Sequence, residues 1–230
     1  MVEQINAVDD GAHVTRKLSM KMVDRSGKER NRETFGYRKY FGDEKRTVLF
    51  YLSPKNVQDT GFLTYDYPDA QLEDDQWLYL PALRKARRIS ASDRGDYFLG
   101  TDFTYEDIKK EGRIELSDYH FKTLKTEIVD GRETIKVEAL PVDDATAKEL
   151  GYGKVHSWVD PSNWQVVKAQ YWDVMLNALK TTTISDIRQI DGIWTRHRLA
   201  VQNHKTGHYT QFVFSDVDYN APVEDSTFTR

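Results

Sequence analysis

The chain has 230 residues, enough for one sizeable domain, and its formal net charge of −4 provides no general basic field for nucleic acid. It contains no cysteine, which excludes disulfides, thiol catalysis and cysteine-ligated metal. Aromatic residues make up 12% of a chain that is 30% charged, a concentration of apolar material that suits a folded core better than disorder.

Residues 2–10 read as the tail of a helix, and Met1 stands abruptly before it. The expectation is an exported protein whose signal peptide has been removed, with a plain cytoplasmic protein as the alternative; no apolar run is long enough to span a membrane. Strands are predicted at 14–23, 29–41, 47–53, 61–66 and 76–80, from alternating or β-branched and aromatic runs. Residues 82–88 are basic and read as a helical turn. Residues 104–110 form a short helix, with Thr104 or Asp102 as its cap and acids in its first turn. Strands follow at 119–129 and 134–140, then a short helix at 145–150 stopped by Gly151. The last strands are 154–160, 165–174, 181–190, 193–203 and 209–219. Tight turns punctuate these runs at 24–28, Asp130-Gly131, Asp191-Gly192 and 205–207; Asp-Gly suits the positive φ values of a type I′ hairpin. The fold class is therefore mainly β, a single domain over residues 1–230 built as an antiparallel meander. A meander this long either closes round a cavity or has its concave face plugged by short helices, and both solutions leave an apolar pocket.

The stretch 48–108 departs from half-buried alternation. Its phrases VLFYL and WLYL are apolar on both faces of a strand, which calls for a cover on each side or an apolar guest on one. The candidate ligand-binding residues of a hydrophobic groove are Val48, Phe50, Leu52, Trp77, Tyr79, Phe98, Phe103 and Tyr105. Trp77 and Tyr79 share a strand face, and Phe103 and Tyr105 sit where the short helix could cover it. The alternative for each is a plain core role. Arg84, Lys85, Arg87 and Arg88 form a basic cluster directly after WLYLP, a candidate contact for an anionic headgroup or an acidic partner, or else a solvated loop balanced by Asp74, Asp75 and Asp93. The cluster is too short for a nucleic-acid surface.

No cofactor motif and no metal motif is present. His204 and His208 stand four apart, but the turn between them breaks any shared helix face, while His156 and His197 fall in different strands. There is no G-x-S-x-G, phosphate loop or H-E-x-x-H, and the adjacent pairs Asp74-Asp75 and Asp143-Asp144 point opposite ways in extended chain, so no catalytic residue is assigned. In the GTDF phrase, Gly100 suits a turn and Thr101 or Asp102 a helix cap.

The phrases FYLSPKNVQDTGFL, DDQWLYLPALRKARRI and FLGTDFTYEDI, with VTRKLSMKMVDRSGKERNR and WVDPSNWQVVKAQYWD, resemble the outer-membrane lipoprotein-sorting proteins, a LolA-like group of exported bacterial proteins. The resemblance implies a LolA/LolB-like incomplete antiparallel β-barrel with a few short helices on its concave side. It also implies a periplasmic location with peripheral membrane contact, binding of a lipid or a lipoprotein acyl chain, and an inner-membrane transporter of the RND type as partner. It carries over no individual site residue. The expected function is non-covalent carriage of that cargo between membranes or to a membrane partner. One alternative is a periplasmic adaptor without lipid cargo, docking through an apolar outer strand face. Another is an enzyme acting on lipid or glycan, for which Asp102, His156 and His197 would be the residues to test.

Overall fold

The computed structural model describes residues 1–69 and 72–229. Thirteen strands form one antiparallel sheet: β1 (His13–Val23), β2 (Glu29–Phe41), β3 (Glu44–Ser53), β4 (Gly61–Asp66), β5 (Asp75–Leu80), β6 (Lys85–Arg88), β7 (Tyr119–Val129), β8 (Arg132–Pro141), β9 (Lys154–Asp160), β10 (Gln165–Trp172), β11 (Ala178–Ile190), β12 (Ile193–Asn203) and β13 (Tyr209–Asp218). Three short helices accompany them: α1 (Val2–Asn6), α2 (Tyr105–Lys110) and α3 (Asp144–Leu150). The spatial order is β6-β5-β4-β3-β2-β1-β13-β12-β11-β10-β9-β8-β7. Every neighbouring pair except β1 with β13 is consecutive in the chain, so hairpin turns dictate almost the whole topology. Asp130-Gly131 and Asp191-Gly192 have positive φ at both residues, as type I′ turns require. The two outer strands, β6 and β7, do not pair, and the barrel is incomplete.

The sheet is strongly curved. Strands lie about 4.8 Å apart, so a flat sheet would separate β2 from β8 by about 34 Å. Arg38 of β2 and Ala139 of β8 nevertheless line one cavity. Along β1 the period of two turns Val14, Leu18, Met20 and Met22 to the concave side, all buried, and leaves Lys17 and Lys21 outside. Residues 89–118 run from the β6 edge to the β7 edge and carry α2 across that concave side. In this crossing segment Phe98 is fully buried against Phe62, with ring centroids 4.9 Å apart, and Phe103 stacks on Phe212 at 4.3 Å. Arg32 Nη1 donates to the Leu99 carbonyl at 2.6 Å. The segment is also pinned through Asp102, which accepts from Asn203 Nδ2 at 3.0 Å and from Thr210 Oγ1 at 2.6 Å and lies 2.6 Å from His208 Nδ1.

The doubly apolar strands have a full cover on the concave face and a partial one on the convex face. Leu49 and Tyr51 of β3, with Phe62 and Leu78, face the crossing segment. Val48, Leu63 and Trp77 point the other way and are covered by Val223 and Phe228 of the C-terminal tail. Tyr65 Oη donates to the Phe228 carbonyl at 2.6 Å, and Lys39 Nζ to the Val223 carbonyl at 2.8 Å, which fixes the tail in place.

Residues 82–88 correct the expectation of a helical turn. A short 3-10 turn at Pro81–Leu83 ends at Arg84 in the left-handed region (φ 48), and Lys85–Arg88 then pairs with β5 as the outer strand. Four basic or small residues carry no apolar period, so the backbone pairing alone makes this strand. Its exposed lysine and arginines suit an edge that must not recruit another sheet. The helix at α2 is capped by Thr104, not by Thr101 or Asp102. Thr104 Oγ1 accepts from the Asp107 amide, and the Asp107 carboxylate accepts from the Thr104 amide, a capping box. Gly151 (φ 80) closes α3 as expected.

Candidate functional site

A cavity of about 240 Å³ lies between the concave face and the roof formed by α2 and the chain after it. Small side chains at inward positions, Ala139, Ser157 and Ala169, leave the space. Leu18, Ile184, Leu199, Phe212 and Phe214 from the sheet, and Phe103, Ile108 and Leu150 above, make most of the wall apolar, while Glu106, Asp107 and Lys110 of α2 add charge.

The roof is anchored by Lys180, which is fully buried. Its Nζ donates to Asp107 Oδ2 and to the Asp102 carbonyl, each at 2.7 Å, and sits 5.0 Å from the ring centres of Tyr152 and Tyr171. Burial pushes the Tyr152 phenol well up, reinforced by Asp107, so it stays neutral and donates to Asp107 Oδ2 at 2.7 Å.

One end of the cavity is charged. Arg16 of β1, Arg38 of β2 and Arg196 of β12 line it together with Arg113, Asp10 and Glu111. Arg16 pairs with Glu111, and Arg38 pairs with Asp10 while its Nε stays 3.9 Å from Glu111 Oε2. That Nε is buried and has no hydrogen-bond partner. Arg196 Nη2 donates to the Glu111 backbone carbonyl at 2.8 Å, and among the described residues no carboxylate oxygen lies within ion-pair distance of its guanidinium. Glu111 is the left-handed C-cap of α2 (φ 49), and Gly112 after it (φ +89) packs so closely that a Cβ there would lie 2.1 Å from Arg196 Nη1. Burial, with repulsion from Arg16, outweighs Glu111 and lowers the Arg196 pKa from its usual value. For Arg38, burial also opposes the charge, but Asp10 and Glu111 outweigh it and the pKa is raised. Gly112 and Arg113 are exposed, so this end reaches solvent.

Of the eight residues expected to line a groove, Phe103 does so. Phe98 and Tyr105 lie in the same crossing segment but pack on Phe62 in the core. Val48, Phe50, Leu52, Trp77 and Tyr79 are a correction: they stand on the convex face, because the period of two that puts Leu49 and Leu78 inside puts them outside. Val48 and Trp77 lie under the tail, while Phe50, Leu52 and Tyr79 are 38%, 47% and 40% exposed. The basic cluster Arg84, Lys85, Arg87 and Arg88 is likewise outside the cavity, on and beside edge strand β6. There Arg88 pairs with Asp75 at 2.6 Å, and Arg87 lies 3.7 Å from Asp93. His156 meets Glu138, and His197 meets the Asp186 carbonyl, on separate strands. Among the described residues no group of three acidic or histidine side chains is placed to hold a metal ion. The charged residues of the cavity were missed, although Arg16 stands on the same face of β1 as Val14 and Leu18. A charged residue on an apolar strand face is the signal that could have found it.

A family model described only as an uncharacterized protein matches residues 43–230. No curated protein matches the sequence. A solved DUF1329 family protein from Desulfovibrio piger is similar over 99% of this chain and 94% of its own, at 27% identity and TM-score 0.92. A proposed outer membrane lipoprotein-sorting protein domain from Vibrio parahaemolyticus is similar over 98% of this chain and 93% of its own, at 29% identity and TM-score 0.88. A LolA superfamily protein from Nitrosomonas europaea shares the fold at 21% identity and TM-score 0.75, covering 100% of this chain and 96% of its own. Among the described residues no helix is long and apolar enough to cross a membrane.

Proposed function

The chain belongs to the family of uncharacterized proteins whose model matches residues 43–230, a LolA-like group, and from that premise we propose a periplasmic carrier that holds a lipid or lipoprotein acyl chain without covalent chemistry. The observation that carries this reading is the apolar cavity under the crossing segment. Burying an acyl chain gains about 0.8 kcal/mol per CH₂, so an apolar wall suffices for binding and no polar motif is required. Cargo enters and leaves as the crossing segment moves, with a membrane partner, an inner-membrane transporter of the RND type, loading or receiving it. No catalytic step is part of this proposal.

The test is displacement of a fluorescent fatty acid, with lipid extraction and native mass spectrometry of protein from its own host. Ala139→Phe and Ala169→Phe fill the cavity from its floor. Each is expected to weaken binding by about tenfold or more, or about 1.4 kcal/mol, with the β-sheet circular dichroism unchanged. Unaltered binding in both would place the acyl chain elsewhere. A second reading, an adaptor without lipid cargo, is favoured by the exposed Phe50, Leu52 and Tyr79 on the convex face. Clean apo protein that displaces no fatty acid probe would select it.

A further inference from the structure

We propose that the arginine-lined end of the cavity seats the headgroup of a single-chain amphiphile, an oxyanion such as a fatty-acid carboxylate. The inference rests on the carrier reading and specifies its cargo class. Three observations lead to it. Arg16, Arg38, Arg113 and Arg196 face two carboxylates, Asp10 and Glu111, so this end keeps positive charge in excess. A guanidinium offers five N–H donors, and the hydrogen bond of the Arg196 group to the Glu111 carbonyl occupies one of them. The Arg38 side chain is 4% exposed, and its Nε has no acceptor. Burying a cation or a donor without a partner is costly, and one oxyanion would satisfy both arginines by charge-assisted hydrogen bonds.

The geometry also orients the guest. The charged end reaches solvent at Gly112 and Arg113, whereas Leu18, Phe212 and Ile184 line the interior. An amphiphile therefore enters with its chain inward and its head held at the mouth. Gly112 belongs to the seat, since any side chain there would displace the Arg196 guanidinium.

Three probes of equal chain length test the proposal on the intact protein by calorimetry: dodecanoate, dodecanol and dodecyl phosphate. The expected result is dodecanoate binding at least about tenfold tighter than dodecanol. Arg196→Met should abolish that preference while leaving dodecanol affinity unchanged. Should Arg196→Met not fold, Arg196→Gln and the wild-type comparison still decide the question. Equal binding of dodecanoate and dodecanol by the wild type removes the headgroup seat and leaves the carrier reading standing. A preference for dodecanoate that persists in the Arg196 variants also overturns the seat. Tighter binding of dodecyl phosphate than of dodecanoate supports the seat and makes a phosphate its headgroup. Failure of all three probes to bind overturns the carrier reading itself, and the seat with it.

Discussion

Lys180 places an ammonium where an apolar residue would be expected, on the inward face of β11 with Thr182 and Ile184. It is tolerated because Asp107 and the Asp102 carbonyl take its hydrogen bonds and aromatic faces surround the rest. Removing one member of a buried pair costs more than removing both, since it strands the other charge. Lys180→Met should therefore lower stability by about 3 kcal/mol in urea denaturation. The double variant Lys180→Met with Asp107→Asn should lose less than the sum of the two single changes. Additive losses would mean that the two groups do not act as a pair. The same residue shows what a sequence reading lacks. Period two groups Val48 with Phe50 and Leu49 with Tyr51, but it does not say which group faces the hollow of a curved sheet. Five of the eight groove residues went to the convex face for that reason, and Arg16, Arg38 and Arg196 went unnoticed because charge on a strand ordinarily signals solvent.

Among the elements, α2 was legible because its cap chemistry is local: Thr104 and Asp107 stand three apart and bond reciprocally. The strand β6 was illegible because its pairing with β5 involves only backbone, which four basic or small residues do not advertise. Below α2 lies a buried ionic group that gives the helix a pH dependence. Burial pushes the Glu106 and Asp66 carboxyls up, but Lys109 and Lys110 beside Glu106, and Lys45 and Lys109 beside Asp66, outweigh burial and hold both below their usual values. Asp74 moves the other way, raised by burial. A carboxyl that binds its proton more weakly when folded stabilises the fold above its unfolded pKa and loses that contribution as pH falls through the folded one. With two lowered carboxyls against one raised, the urea midpoint should fall as pH drops from about 6 to about 3. Glu106→Gln should flatten that dependence while lowering stability near neutrality. A slope unchanged by the substitution would assign the acid sensitivity to other groups.

At the level of the whole molecule, the chain enters and leaves through the centre of the sheet, at β1 and β13, and its two arms run outward to β6 and β7. The hairpin turns made this order readable in advance, apart from the β1–β13 seam, which joins strands from opposite ends of the chain. The crossing segment and that seam link the arms, and so do the C-terminal tail on β3 to β5 and Val2 of α1 against β8 and β9. A protease site placed between the exposed residues Asp96 and Tyr97 should therefore yield a nicked protein whose halves stay together through the seam and the two termini. Its radius of gyration in X-ray scattering should exceed that of the uncut form. An unchanged radius would mean that strand twist alone sets the curvature.

The crossing segment then has a mechanical meaning. A sheet joined only strand to strand is a bow, free to flex along its length. The segment from β6 to β7 is its string: Phe98 and Asp102 tie it at mid-span, and its ends join the outermost strands. Slackening the string to admit a guest would let the two limbs spread. The spacing between β6 and β7 at the rim would then report, on the outer surface, whether the hollow is full.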